Sequence, residues 1–395
     1  MKFNKISAIN IKDKRVFIRT DMNVPIVDSR ITDDTRIISG LTTIRYALSH
    51  GAKVILATHL GRPKEGTCLD KDSVDVIRQT IEHMLQQKIP LIKHLDDKID
   101  FTKVNLVMLE NVRCNIGEKA NDESLAQKYA ALCDVFVHDA FATSHRAEAS
   151  TDAIAKYVKV VAAGSLMSTE IEALQKVVQS PKSPVVAIVG GSKISTKLSI
   201  LDNLADKVDY LVVGGGILNT FLLAKGFNVA NSLVEVDLVP EAKRIMQKMQ
   251  RRGAEVPLPD TVIVSKEISE SAISEEKPIT NLDNDDIILD VGTKFANDLA
   301  HVITKSQTVI WNGPLGVFEF EQFANGTRIL AVAIGKSKAF SLAGGGDTIA
   351  AINKFNLFNQ ISYVSTAGGA LLEFLEGKPL PAITMLEKNC IHKTL

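Results

Sequence analysis

Short apolar runs and longer amphipathic stretches alternate along nearly the whole chain. Early apolar runs lie at residues 15–18, 53–57, 105–109, 135–138 and 158–162, and residues 35–50 and 73–87 between them carry apolar positions at helical spacing. Continuous apolar runs suit strands buried on both faces, so the alternation predicts parallel sheets with helices on either side. Right-handed crossovers then put every strand-to-helix turn at one sheet edge. Residues 166–178 read as one helix, with Leu166, Met167, Ile171, Leu174, Val177 and Val178 on its apolar face. That helix stops at Ser180-Pro181-Lys182-Ser183-Pro184, a strong breaker. A second set of apolar runs follows at 185–189, 210–213, 261–264, 287–289, 309–311, 339–342 and 362–364. The pattern predicts an α/β chain of two doubly wound parallel-sheet lobes of Rossmann-like type. The first lobe covers 1–165, a bridging helix and linker cover 166–182, and the second lobe covers 183–379. A tail over 380–395 leaves the last helix through Gly377-Lys378-Pro379-Leu380-Pro381 and is read as returning to the first lobe.

Composition narrows the classes of partner. The 395 residues suffice for two or three cores, with apolar residues at 45% and charged residues at 23%, as in ordinary globular chains. Lys plus Arg equals Asp plus Glu at 46 each, so no global field attracts nucleic acid or an anionic membrane. Affinity for anions must come from local clusters. No stretch approaches the roughly 20 apolar residues of a membrane span. Residues 1–15 have no apolar core of the signal-peptide kind, and the expected location is the cytoplasm. Cys68, Cys114, Cys133 and Cys390 lack C-x-x-C spacing and read as reduced thiols. No long apolar surface stripe stands out, so a monomer is expected.

The chemistry gathers where the apolar runs end. In the first half they end in RTDMNVP (Arg19 to Pro25), THLGRP (Thr58 to Pro63), ENVR (Glu110 to Arg113) and HDAFATSHR (His138 to Arg146). Ligands of open parallel sheets bind at strand carboxyl ends, and arginine forks suit carboxylates and phosphates. Each set also has an ordinary structural reading. Asp21 and Asn23 can cap turns, and Arg36 in DDTR can be a solvated arginine. His59 can be a buried histidine satisfied by backbone, and Arg113 and Arg146 can pair with Glu110 or Glu148. Their shared position at strand ends is what those readings leave unexplained.

In the second half the runs end in glycines: GGSKISTK (Gly190 to Lys197), VGGG (Val213 to Gly216) and AGGGDT (Ala343 to Thr348). Glycine turns let bare backbone N–H groups hold a polyphosphate. Lys193 and Lys197, four apart, are expected on one helix face near its N-terminus. Two cations there are unfavourable without an anion. Asp347 among such amides is explained if it holds Mg²⁺ that bridges phosphate oxygens; the alternative is an Asp helix cap. Trp311 to Glu319 forms either a wall for a base or sugar, with Glu319 accepting from ribose hydroxyls, or an ordinary turn. The P-loop signature is missing, and Asn219 occupies the third-glycine position after Gly214 and Gly216, so no dinucleotide fingerprint is met. No nucleophile elbow or H-E-x-x-H sequence is present.

RTDMNVP, ITDDTR, THLGRP, MLENVR, DAFATSHRA, GGSKISTKL, WNGPLGVFE, AGGGDT and STAGG together resemble the motif series of the phosphoglycerate kinases, in family order over essentially the whole chain, with bacterial members most alike. The resemblance implies reversible Mg²⁺-dependent phosphoryl transfer between 1,3-bisphosphoglycerate and ADP, giving 3-phosphoglycerate and ATP in glycolysis. It implies two lobes facing a cleft that close by hinge bending. It further implies a 3-phosphoglycerate site of Asp21, Met22, Asn23, Arg36, His59, Leu60, Gly61, Arg62, Arg113 and Arg146. The implied nucleotide site comprises Lys197, Gly292, Glu319, Gly345, Gly346, Asp347 and Thr348, with Asp347 on the metal and Arg36, Lys193 and Lys197 catalytic. Ala142, Glu148, Cys114, Thr293, Ala367 and Leu371 depart from the commonest family residues, Cys114 replacing an aromatic, and none removes a charged site group. Two rivals make different demands. A two-lobed dehydrogenase needs the missing glycine fingerprint, and a binding protein that has lost its chemistry usually loses the site charges.

Overall fold

The computed structural model describes residues 1–365 and 367–390. Thr366, in the STAGG motif, and residues 391–395, the end of the tail, lie outside the described residues. The chain forms two compact units, Met1–Glu172 with the segment that begins at Pro379, and Ala173–Lys378.

The first unit contains β1 (Arg15–Thr20), β2 (Ile26–Val27), β3 (Arg30–Ile31), β4 (Lys53–Ala57), β5 (Leu91–Ile92), β6 (Leu106–Leu109), β7 (Val135–Asp139) and β8 (Val160–Ala163). Six of these build a wholly parallel sheet in the order β5-β6-β4-β1-β7-β8, and β2 and β3 pair as a short antiparallel ribbon. Helices α1 (Thr35–Ser49), α2 (Asp75–Leu85) and α3 (Glu123–Ala131) cover the sheet. In β1, Val16 and Ile18 pack with Ile37, Leu41 and Ile44 of α1. Phe17 points the other way and meets Tyr129 and Phe136 at ring-centroid separations of 5.6 and 6.0 Å. Both faces are covered, so the strand shows no polar alternation, and its polar residues come at its ends.

Helix α4 (Ser165–Leu174) carries the chain out of the first unit and continues as a π-helical turn, Gln175–Gln179. The second unit contains β9 (Val185–Gly190), β10 (Tyr210–Gly214), β11 (Thr261–Ser265), β12 (Glu275–Pro278), β13 (Ile287–Val291), β14 (Thr308–Asn312), β15 (Phe340–Gly344) and β16 (Tyr363–Ser365). Its parallel sheet runs β10-β9-β14-β15-β16. The apolar runs at 261–264 and 287–289 do not join it. They form a separate antiparallel sheet, β12-β11-β13. The deciding partner is β12, the polar and mostly exposed Glu-Glu-Lys-Pro, which no apolar pattern marks as a strand. Around these sheets lie α5 (Leu198–Ala205), α6 (Gly216–Lys225), α7 (Val239–Arg251), α8 (Thr293–Lys305), α9 (Asn325–Lys336), α10 (Gly346–Lys354) and α11 (Gly368–Leu375). The last helix, α12 (Pro381–Lys388), belongs to the first unit, where the Ala382 N–H donates to the Ser144 carbonyl at 3.1 Å. No helix among the described residues is long and apolar enough to cross a membrane.

Three interior carboxyls tie loops to this frame. Glu118 accepts from the Ser150 N–H at 3.2 Å and the Tyr129 hydroxyl at 3.3 Å. Asp139 accepts from the Met167 N–H at the start of α4 at 2.9 Å. Asp290 accepts from the Val291 and Gly326 N–H groups at 2.9 and 2.7 Å. Burial pushes Glu118 up to about 7, Asp139 to about 6 and Asp290 to about 7. For Glu118 the folded value lies above the unfolded 4.5, so its contribution to stability is complete at low pH and is lost as pH rises towards 7. Glu118→Gln cannot ionise. Its stability relative to the parent is therefore expected to grow by about 2–3 kcal/mol between about pH 5 and pH 8, read from urea unfolding. A pH-independent difference would contradict the buried-carboxyl assignment.

Candidate active site

In the first unit the polar strand ends converge on Asp21 and Gly61. One Asp21 oxygen accepts from Arg36 Nη1 at 3.0 Å, and the other lies 4.0 Å from His59 Nε2. Arg36 Nη1 also donates to the Asn23 carbonyl at 3.2 Å, while the Asn23 side chain accepts from the Gly61 N–H at 2.9 Å. Gly61 has φ +59°, a conformation that side-chain-bearing residues rarely adopt, and its carbonyl accepts from Arg113 Nη1 at 3.0 Å. Arg113 is buried against Glu148, with 3.5 Å between Nη2 and Oε1. Arg113 Nε has no hydrogen-bond partner among the described residues. Arg146 lies beside His145, Nε to Nε2 at 3.2 Å, and Arg62 is exposed on the same turn as Gly61.

Met22 and Leu60 lie behind the turns that carry Asp21 and Gly61. Both side chains are core residues. The Met22 N–H donates to Thr58 Oγ1 at 2.9 Å, and the Leu60 carbonyl accepts from Asn111 Nδ2 at 2.8 Å. They shape the turns from behind, because alternation along an extended segment points Met22 away from Asp21 and Asn23.

His59 sits amid guanidinium groups. Burial, then the charges of Arg19, Arg113, Arg146 and Arg36, hold it well below the ordinary histidine value. Arg19 Nη2 approaches His59 Nδ1 at 3.4 Å. A guanidinium only donates, so Nδ1 accepts and the ring hydrogen resides on Nε2, facing Asp21. The structure thus makes His59 a neutral hydrogen-bond donor. Arg19, which the sequence marks only as the head of RTDMNVP, belongs to this cluster too. It is fully buried, donates to Ser150 Oγ at 2.9 Å and orients the imidazole. The available signal was a charged residue near the end of an otherwise apolar strand.

In the second unit the centre is Lys197. Its ammonium donates to the Gly190 carbonyl at 2.6 Å, the Asn312 carbonyl at 3.1 Å and Asn312 Oδ1 at 2.7 Å. Burial pushes its pKa down to about 8, opposed by the charge of Asp347. A side chain at Gly190 would put a Cβ 1.8 Å from the Pro314 carbonyl oxygen, so only glycine lets β9 approach the turn after β14. Asn312 also donates from Nδ2 to the Gly344 carbonyl at 2.7 Å, joining the ends of β14 and β15. In the sequence only its place directly at a strand end marks this asparagine.

Lys193 and Lys197 do not share a helix face. Residues 191–197 form a turn, and α5 begins only at Leu198 with Lys197 as its N-cap. The cause lies far along the chain. Glu235 accepts from the Ser195 N–H and hydroxyl at 2.8 and 2.6 Å and holds the turn in place of a first helical turn. Lys193 is left exposed.

Gly345, at φ +102°, is the N-cap of α10, and Gly346 and Asp347 lie exposed in its first turn. Thr348 is buried, and its hydroxyl accepts from the Gly313 N–H at 2.7 Å, so it fastens α10 to the turn after β14. Gly292 is the N-cap of α8, and a Cβ there would sit 1.9 Å from Thr261 Oγ1. Glu319 is exposed, and its carbonyl accepts from Lys354 Nζ at 3.0 Å.

A family model described as phosphoglycerate kinase matches residues 6–378. The solved structure of phosphoglycerate kinase from Coxiella burnetii is similar over 98% of this chain and 100% of that chain, at 46% identity and a TM-score of 0.95. Phosphoglycerate kinase from Pyrococcus horikoshii OT3 is 30% identical over 98% of this chain and 99% of that one, with a TM-score of 0.76. Likeness over the full length, together with arginine-rich and glycine-rich strand ends on two parallel sheets, leads to a single assignment: the chain belongs to the phosphoglycerate kinase family and is a phosphotransferase of glycolysis.

Proposed function

We propose that the first unit binds the phosphoglycerate, that the second binds the nucleotide, and that transfer proceeds by positioning and charge neutralisation alone. The observation that carries this reading is the ring of Arg19, Arg36, Arg113 and Arg146 around a neutral His59, a field made for a small polyanion. Arg36 faces the reacting carboxylate, Asp21 and Asn23 orient the hydroxyl and carboxyl end, and Arg62, Arg113 and Arg146 hold the distal phosphate and carbon chain. His59 donates from Nε2–H.

A carboxylate acceptor is already ionised at neutral pH, so no general base is required. Its oxygen forms the new bond to the terminal phosphorus of ATP while the bond to the ADP oxygen breaks, and the charge spreads over the transferring group. Lys197, with Lys193, stabilises that group, and the first turn of α10 holds the nucleotide phosphates. Magnesium, when bound with the nucleotide, supplies charge neutralisation at the polyphosphate. Asp347 fits it: an exposed carboxylate beside phosphate-binding amides suits an ion held mainly by ligand oxygens and water. In-line transfer requires acid and nucleotide to meet, so the reading includes hinge bending that also keeps water from the acyl phosphate. The protein acts as a monomer, in keeping with a sequence that shows no long apolar surface stripe, and a glycolytic role supports a cytoplasmic location.

The test is a coupled assay in which ATP, Mg²⁺ and 3-phosphoglycerate yield an acyl phosphate that a dehydrogenase consumes with NADH. Steady NADH oxidation dependent on all three is expected. Its absence with active coupling enzyme would refute the reading.

A further inference from the structure

The two turns that carry Arg62 and Arg113 continue into Cys68 and Cys114. Cys114 directly follows Arg113 in the 3-10 turn Val112–Cys114. The Gly66 N–H donates to the Cys114 carbonyl at 2.8 Å, which brings the backbone before Cys68 against that turn. The two thiols also lie near enough for each to act on the titration of the other. Both lie on the wall of one cavity of about 410 Å³. Cys68 is exposed and Cys114 is half-buried. Cys133, by contrast, is buried against the Tyr129 and Ala130 carbonyls. The transfer reaction uses neither Cys68 nor Cys114.

We propose that Cys68 and Cys114 are a neighbouring dithiol that small-molecule disulfides oxidise to a Cys68–Cys114 bond, clamping together the two arginine-bearing turns of the first unit. Exposure assigns the order of events. Burial above all, with the carboxylates of Glu110 and Asp72, raises the Cys68 thiol above its ordinary value, while Cys114 and the charge of Lys93 work against it. Cys114 is held protonated by burial, by Cys68 and by the same carboxylates. Cys68, exposed where Cys114 is half-buried, is the sulfur that an external disulfide reaches first and so the one that attacks it. Cys68 loses its proton and attacks one sulfur of the small disulfide, expelling a small thiolate and leaving a mixed disulfide. Cys114 then loses its proton and attacks the Cys68 sulfur, forming the intramolecular bond and expelling the second small thiolate. Two protein thiols are oxidised, and one small disulfide is reduced to two thiols. The effect of the clamp on acid binding rests on the reading of the acid site given above.

The test is incubation of the reduced, purified protein with oxidised glutathione over hours. Titratable thiols in the denatured product should fall from four to two with no glutathione retained. Proteolysis should yield a Cys68–Cys114 cross-linked peptide that dithiothreitol splits. Cys114→Ser should instead trap one glutathione on Cys68, and Cys68→Ser should form no cross-link. The oxidised protein should show a several-fold change in KM for 3-phosphoglycerate, reversed by dithiothreitol, with the nucleotide KM unchanged. Four remaining thiols, a lasting mixed disulfide in the parent, or a cross-link to Cys133 or Cys390 would overturn the dithiol. A cross-link with unchanged KM would overturn the clamp. Failure of the reduced protein to bind 3-phosphoglycerate would count against the acid-site reading, with the peptide map still deciding the thiol chemistry.

Discussion

Arg36→Ala is expected to lower saturating turnover by about 10²- to 10⁴-fold while leaving nucleotide affinity within about twofold. Arg36 lies in the first turn of α1 and is held by Asp21 at 3.0 Å and the Asn23 carbonyl at 3.2 Å. In the proposed reading those contacts aim the guanidinium fork at the carboxylate end of the acid. Charge on that carboxylate redistributes as the phosphoryl arrives, so the contact matters more in the transition state than in the ground state. A factor of ten corresponds to about 1.4 kcal/mol, which puts the loss at about 3–5 kcal/mol. The Arg36–Asp21 pair is partly exposed, so its own contribution to folding is at most about 1 kcal/mol, and the variant should remain folded. Arg36→Lys should recover only part of the rate, since an ammonium lacks the planar fork. The measurement is kcat in the coupled assay, with ATP binding by calorimetry as the control. Turnover within tenfold of the parent, or an equal loss of ATP affinity, would remove Arg36 from its assigned position.

Much of this site is readable before folding because parallel sheets have a rule of place. Once residues 15–18, 53–57, 105–109 and 135–138 are taken as strands, the polar residues that end them must share an edge. Asp21, Asn23, Arg36, Gly61 and Arg113 do join one hydrogen-bonded group, with His59 beside Asp21. What escaped the sequence depends on partners distant in the chain. Arg19 reads only as the first residue of a strand-end set until Ser150 and His59 are placed beside it. Lys193 and Lys197 have the right spacing for a helix, yet Glu235 holds their segment as a turn. The polar strand β12 forms because β11 offers it a ladder, and pairing energy leaves no periodic mark in four mostly exposed residues. Met22 and Leu60 show that a contiguous motif also includes side chains that fill the core behind their neighbours, which the motif alone does not mark.

Lys197→Ala should cut saturating turnover by about 10²- to 10³-fold, because its cation is fixed by three oxygens before any ligand arrives. The Gly190 and Asn312 acceptors carry partial charges only, so they orient the ammonium without cancelling it. Its full charge therefore remains to meet the transferring phosphoryl. Removing the side chain also strips donors from those acceptors, and a stability loss of about 1–2 kcal/mol is expected from urea unfolding. A pH profile separates this structural loss from the electrostatic one. Burial has brought Lys197 down to about 8. The protonated form attracts polyphosphate, so in the parent protein nucleotide affinity should fall as pH rises through about 8. The variant has no ammonium to lose, and its affinity, weaker at neutral pH, should stay level over the same interval. Nucleotide phosphates are fully ionised above about pH 7, so they add no slope of their own there. Matching slopes in parent and variant would mean that the charge of Lys197 does not act on the nucleotide. Turnover unchanged at saturation would mean that it does not act on the transferring phosphoryl either.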